Sequence, residues 1–169
     1  MIVNELPTPR SDTVNRATAE ECEVRGPILS LDLGLKRVGV AVCDPTLVAI
    51  TRLAPLRRSS WKRLLIDVSD LIRRFDAQAV VMGWPLRLDG IEGSAAKEAQ
   101  KIAHRFARSL SLPIFLQDER LTSAEAEETL RAAGYGAKEI AARVDSESAA
   151  IILRDFIVGG QQKTRVSRP

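Results

Sequence analysis

Three segments of this 169-residue chain put carboxylates into apolar surroundings, where their presence needs a reason. Asp32 lies inside the run Ile28-Leu29-Ser30-Leu31-Asp32-Leu33-Gly34. A carboxylate buried in a strand is costly unless a metal, a base or a set of donors meets it. The alternative is that Asp32 caps the strand end and bonds the turn. Gly34 and Gly39 flank it and allow close approach of a ligand. The second segment, Asp118-Glu119-Arg120-Leu121-Thr122-Ser123, stands where a strand gives way to a helix. Open α/β sheets bind their ligands at such strand ends. Successive strand residues point to opposite faces, so Asp118 and Glu119 are not expected to meet the same ion. Glu119 is the better metal candidate, with Asp118 as a cap or a secondary acid. The third is Asp145, in Arg143-Val144-Asp145-Ser146-Glu147-Ser148-Ala149-Ala150. Here an acid in a first helical turn would stabilise the helix dipole, which is a sufficient role by itself. The small residues around it, however, imply close packing on the sheet, which would carry Asp145 to the strand ends. Three acids on separate apolar elements suit a hard divalent cation with oxygen ligands.

The cationic residues are placed to complement these acids. Lys36, Arg37, Arg120 and Arg143 each lie beside an acid or its strand. They would draw phosphates in, or pair with the acids as salt bridges. In the loop Gly83-Trp84-Pro85-Leu86-Arg87-Leu88-Asp89-Gly90, Arg87 is a candidate phosphate contact and Trp84 a candidate base-stacking ring. A turn packed by Trp84 is the plainer alternative. His104, the one histidine, falls mid-helix and reads as a surface or packing residue. Cys22 and Cys43 have no metal-type spacing, and no phosphate-binding glycine loop of the P-loop kind occurs.

The elements that must hold these side chains follow from periodicity. Residues 28–33 and 38–43 read as strands joined by the short link 34–37, a hairpin. A third strand around 48–53 is limited by Pro55. Trp61, Leu64, Leu65, Val68, Leu71, Ile72 and Phe75 recur at helical spacing. Strand 79–82, helix 94–110 and strand 113–116 follow. Thr122 and Glu125 suit a capping box for a helix over 123–133, and a last helix spans 144–157. The order predicts an α/β fold: a mixed five-stranded sheet, three antiparallel strands and then parallel ones, with helices on both faces. Residues 1–26 have no hydrophobic periodicity and read as a disordered extension. Residues 27–158 form one domain, and 159–169, opening at the helix-ending pair Gly159-Gly160, read as a flexible basic tail.

Composition sets the outer bounds. Hydrophobic residues make up 45 % and charged residues 28 %, ordinary for a globular chain. Aromatics at 4 % are too few for a single-strand binder built on stacking platforms. Net charge is +3, but residues 1–26 hold five acids against three bases, which leaves the remainder at +5. That distribution gives mild support to a polyanionic partner. The absence of an apolar leader or membrane-spanning run argues for a cytoplasmic protein with no membrane partner.

Four ordered motifs together resemble the YqgF/RuvX family of Holliday-junction-resolvase-like nucleases. They are Leu31-Asp32-Leu33-Gly34-Leu35-Lys36-Arg37-Val38-Gly39-Val40-Ala41-Val42, Val80-Val81-Met82-Gly83-Trp84-Pro85-Leu86, the Asp118–Ser123 segment and Val144-Asp145-Ser146-Glu147-Ser148-Ala149. The first alone would also fit actin-like ATPases, whose two related domains this chain has no room for. The resemblance covers about residues 27–158. It implies a ribonuclease-H-like fold, a nuclease centre using Mg²⁺ or Mn²⁺, and Asp32, Glu119 and Asp145 as the acidic triad. In the two-ion hydrolysis this implies, the ions stand roughly 4 Å apart. Asp32 bridges them, and Glu119 and Asp145 each complete one shell. Implied substrates are precursor ribosomal RNA, at the 5′ end of 16S rRNA, or branched DNA, cut by a monomer or a homodimer. A non-catalytic nucleic-acid-binding factor of ribosome assembly is the rival reading. Trp84 stands where the family commonly has a smaller apolar residue.

Overall fold

The computed structural model describes residues 24–86, 92–119, 122–159 and 163–167, and the side chains within them except those of 122–124 and 142. Chain order is β1 (Ile28–Leu33), β2 (Arg37–Cys43), β3 (Ile50–Arg57), α1 (Trp61–Phe75), β4 (Ala79–Trp84), α2 (Ser94–Ser109), β5 (Ile114–Asp118), α3 (Thr122–Ala132), α4 (Ala137–Val158) and β6 (Lys163–Arg165). The strands form one sheet in the order β3-β2-β1-β4-β5-β6. β1, β2 and β3 are antiparallel, β4 and β5 run parallel to β1, and β6 returns antiparallel on β5. The expected mixed sheet is present, but with six strands rather than five.

The sixth strand lies within the stretch read as a basic tail. Its three residues are all exposed, so no apolar alternation announces it. What holds it is backbone pairing of Phe115 with Arg165 and Leu116 with Thr164, and burial of Val166 just beyond.

Side chains alternate along each strand, and this sorts the core into two layers. Leu29, Leu31, Val38, Val40, Val42, Val80, Met82, Ile114 and Leu116 face α1 and α2, where Leu64, Val68, Ile102 and Phe106 complete the layer. Ile28, Ala41, Cys43, Ala79, Val81 and Phe115 face α4, which presents Ala149, Ala150, Ile152, Leu153 and Phe156. α3 packs alongside α4, with Ala126 and Leu130 buried.

Two elements differ from the periodicity reading. β3 extends through Pro55 to Arg57, although a proline was expected to stop it. Between the pairs Val40–Leu53 and Val38–Leu56, β3 has one residue more than β2. The extra residue makes a bulge on an edge strand, where a missing N–H breaks no ladder. α4 begins at Ala137, seven residues before the expected start. Its first two turns are largely exposed and carry no apolar stripe. They form because the Glu139 carboxylate accepts the Gly136 N–H at 3.1 Å and because Ala, Lys and Glu favour helix. Asp145 therefore sits well inside a helix, beyond the reach of the N-terminal dipole that would have explained it.

Candidate active site

The α4 face of the sheet contains a polar row. Asp32 on β1 pairs across to Gly39 on β2. On its other side, the β1–β4 register, Leu31 opposite Met82, continues to Gly83. Gly83 in turn pairs with Gln117 on β5. The two glycines are the vacancies that the acids fill. A Cβ on Gly39 would lie 1.8 Å from the Asp145 carbonyl oxygen, so α4 rests its backbone directly on β2 there. A Cβ on Gly83 would lie 2.1 Å from Glu119 Oε2, so the Glu119 carboxylate lies over that strand. The chain thus brings Asp32, Glu119 and Asp145 to one face at one end of the sheet.

Electrostatics shows how closely they interact. Burial first and the Asp145 charge second push the Asp32 carboxyl up to about 6, against the opposing effect of a Ser148 hydroxyl that donates to it. Burial, then Asp32, then Asp118 push Glu119 up to about 8. Asp32 therefore feels both of the other acids. Asp145 is compensated by Arg37, whose Nε lies 2.7 Å from Asp145 Oδ2 while its Nη2 donates to the Ala141 carbonyl at 2.7 Å. The contact is an ion pair without hydrogen-bond geometry: Oδ2 is sealed from solvent and accepts no hydrogen bond. Arg37 thus takes the salt-bridge role, one of the two read for it.

The donor set fits a hard cation. It consists of carboxylate oxygens that repel one another, with one buried oxygen left without a donor. Among the described residues no three His, Cys, Asp or Glu side chains converge tightly enough to hold an ion by themselves. An ion here would complete its shell with water and substrate oxygens, as Mg²⁺ characteristically does.

The remaining candidates fall elsewhere. Asp118 is buried and, by strand alternation, turned to the α1/α2 face, although its charge reaches Glu119. Trp84 also lies on that face, packed on the core layer of α1 and α2, where it cannot stack on a base above the acids. Lys36 is exposed at the β1–β2 hairpin. Arg143 lies over the Tyr135 ring at 4.5 Å, in a cavity of about 460 Å³ between β3, α3 and α4. That cavity also holds the buried Glu147 and its partner Arg52. Arg87 and Arg120 lie outside the described residues. The sequence reading did not identify Ser148 as a donor to Asp32 or Gly83 as the seat of Glu119. The clue to the second was available: a strand glycine marks close approach of another group.

The sequence model of the RuvX family, described as Holliday junction resolvase, matches residues 26–158. The chain belongs to the RuvX family. An Anaeromyxobacter RuvX relative, named "Putative pre-16S rRNA nuclease", is 38 % identical over 78 % of this chain and 96 % of its own length. A Syntrophus aciditrophicus protein of the same name is 37 % identical over 77 % of this chain and 87 % of its own. Among solved structures, T. thermophilus RuvC in complex with a Holliday junction substrate superposes with a TM-score of 0.52 at 17 % identity, covering 81 % of this chain and 98 % of RuvC. That likeness establishes the ribonuclease-H-like fold for this RuvX chain. With the family it makes the chain a nuclease-type hydrolase. No helix among the described residues is long and apolar enough to cross a membrane.

Proposed function

We propose that this RuvX protein hydrolyses phosphodiester bonds in structured nucleic acid with Mg²⁺ or Mn²⁺, held by Asp32, Glu119 and Asp145. The observation that carries the reading is the position of Asp32: its charge is coupled to Asp145 on one side and to Glu119 on the other. A bound divalent cation would supply charge neutralisation of the phosphate and a more acidic water. The chain's own groups do the rest. Asp32 would be one oxygen donor to the cation, and Glu119, held over Gly83, would hold the cation in place of its proton. Ser148 orients Asp32, and Arg37 keeps Asp145 and its helix in place.

The substrate we favour is precursor 16S rRNA, because both relatives are named for that activity; cutting at its 5′ end, in the cytoplasm, is what the motif resemblance implies. Junction resolution is the second reading, favoured by the description of the family. It would need a homodimer, since two symmetric cuts need two sites. The test is parallel cleavage of precursor 16S rRNA and a four-way DNA junction, with Mg²⁺ and with Mn²⁺, by wild type and Asp32→Asn. Cleavage of the RNA by wild type and its loss in the variant is the expected result. Cleavage by Asp32→Asn at the wild-type rate, or no cleavage and no ion binding by wild type, overturns the reading.

A further inference from the structure

The acids occupy one side of the β1–β2 hairpin, and a second polar surface begins on the other. A groove of about 660 Å³ runs along the α1/α2 face, lined by Leu35, Arg58, Ser60, Trp61, Lys97, Lys101 and Arg105 among others. Three of its four basic residues lie on one stripe of α2: Lys97, Lys101 and Arg105 are four apart, a spacing of about 6 Å along the helix axis. Lys97 and Lys101 are exposed and have no acidic partner among the described residues. The single acid in the lining, Glu98, is already paired with Arg58. Arg58 also donates to the Gly34 carbonyl at 2.9 Å, two residues beyond Asp32, so the groove is continuous with the hairpin that carries the acids.

From the geometry we infer that this groove is the seat of a duplex arm of the nucleic acid, gripped by its phosphate backbone. The inference rests on the nucleic-acid reading above but not on the metal chemistry. Charge complementarity points to a polyanion. A step of about 6 Å between cations is commensurate with the closely spaced charges of a nucleic-acid backbone. The groove offers no aromatic platform for unstacked bases. Trp61, the one aromatic in the lining, packs on Phe106 at 4.9 Å and is covered by Arg105 at 4.1 Å, so it offers no open face for a base. Contacts to phosphates alone position a duplex without reading its sequence. The hairpin would then act as a ridge, with the arm on one side and the bond to be cut on the other.

The double variant Lys97→Glu/Lys101→Glu tests this directly, since both side chains are exposed and Arg105 stays over Trp61. Binding of a fluorescent duplex of two helical turns, in RNA and DNA forms, is followed by anisotropy in EDTA over a range of salt. The control, Arg73→Glu/Arg74→Glu, makes the same charge change in the last turn of α1, at the end of that helix away from Trp61. The expected result is at least a tenfold loss of affinity in the groove variant. The slope of log affinity against log salt should fall by about 2, one for each lost phosphate contact. Wild-type affinity and slope in the groove variant, or an equal loss in the control, overturns the inference. The absence of divalent ions separates the two readings. Loss of binding in the variant, with no cleavage by wild type, retires the nuclease and keeps the groove. Cleavage by wild type with unchanged binding in the variant does the reverse.

Discussion

The two faces of the six-stranded sheet both carry an apolar layer, but at one end they use opposite chemistry. Toward α1 and α2, β1 presents Leu29 and Leu31, β2 presents Val38, Val40 and Val42, and β4 presents Val80 and Met82. Toward α4 the same strands present Ile28, Ala41, Cys43, Ala79 and Val81 in an apolar layer and, at the end that carries the acids, Asp32, Gly39 and Gly83. At that end the first face still spends its positions on hydrocarbon. The other leaves the space of two side chains open and fills it with a helix backbone and a carboxylate. The contrast teaches that stability and chemistry here are separated by strand alternation rather than by distance: Leu31 and Asp32 are neighbours in sequence.

That contrast can be broken from either side. The largest expected effect comes from exchanging neighbours. Asp32→Asn should lower cleavage by more than the ~10–100-fold typical of outer-shell partners of a metal, while leaving urea unfolding unchanged or slightly strengthened. Leu31→Ala should cost ~2–5 kcal/mol in the same unfolding experiment, because it empties a fully buried site. If Asp32→Asn unfolded the chain as Leu31→Ala does, the division between faces would be wrong. Next is Gly39→Ala. Its methyl meets backbone rather than a flexible side-chain end, so it should cost ~1–3 kcal/mol or more by lifting α4, and activity should fall with it. Gly83→Ala should be milder in stability, since it meets side-chain ends, the Glu119 carboxylate and the Ile152 Cδ1 methyl at 2.8 Å, rather than backbone. Its signature would be a fall in kcat larger than the shift of the unfolding midpoint accounts for.

The smallest effect is electrostatic. Glu119 is pushed up to about 8 from 4.5 and Asp32 to about 6 from 3.8, so the folded chain keeps protons that the unfolded chain has released. Their contribution to stability is complete below the unfolded values and is lost as pH rises through about 6 and then about 8. In EDTA the melting temperature of wild type should therefore fall more steeply between pH about 5 and about 8.5 than that of Glu119→Gln. Mg²⁺ or Mn²⁺ should restore most at the alkaline end. Equal slopes in the two proteins would show that burial and the neighbouring acids do not raise Glu119 as described.

Much of this was legible in the residues. An acid in the run 28–34 marked the strand on which the candidate site is built, and the α1 helix followed from its apolar spacing. The separation of Asp118 from Glu119 by strand alternation also agrees with where their side chains lie. The same rule, applied to Gly83-Trp84, would have turned Trp84 into the core, yet as a loop residue it looked free to stack. The start of α4 was hidden because capping and intrinsic propensity, not an apolar stripe, form its first turns. β6 was hidden because three exposed residues pair through backbone alone. The position of Asp145 deep in its helix followed from neither and depends on the whole of α4.

The sheet also ends with care on both sides. On one margin β6 is only three residues long. On the other, β3 is interrupted by a bulge and Pro55 and carries the exposed Arg52 and Arg57. Neither margin offers a long, flat, uncharged template for a strand from another molecule, the arrangement by which sheets recruit one another into fibrils. The chain can thus be concentrated without its sheet growing from one molecule to the next.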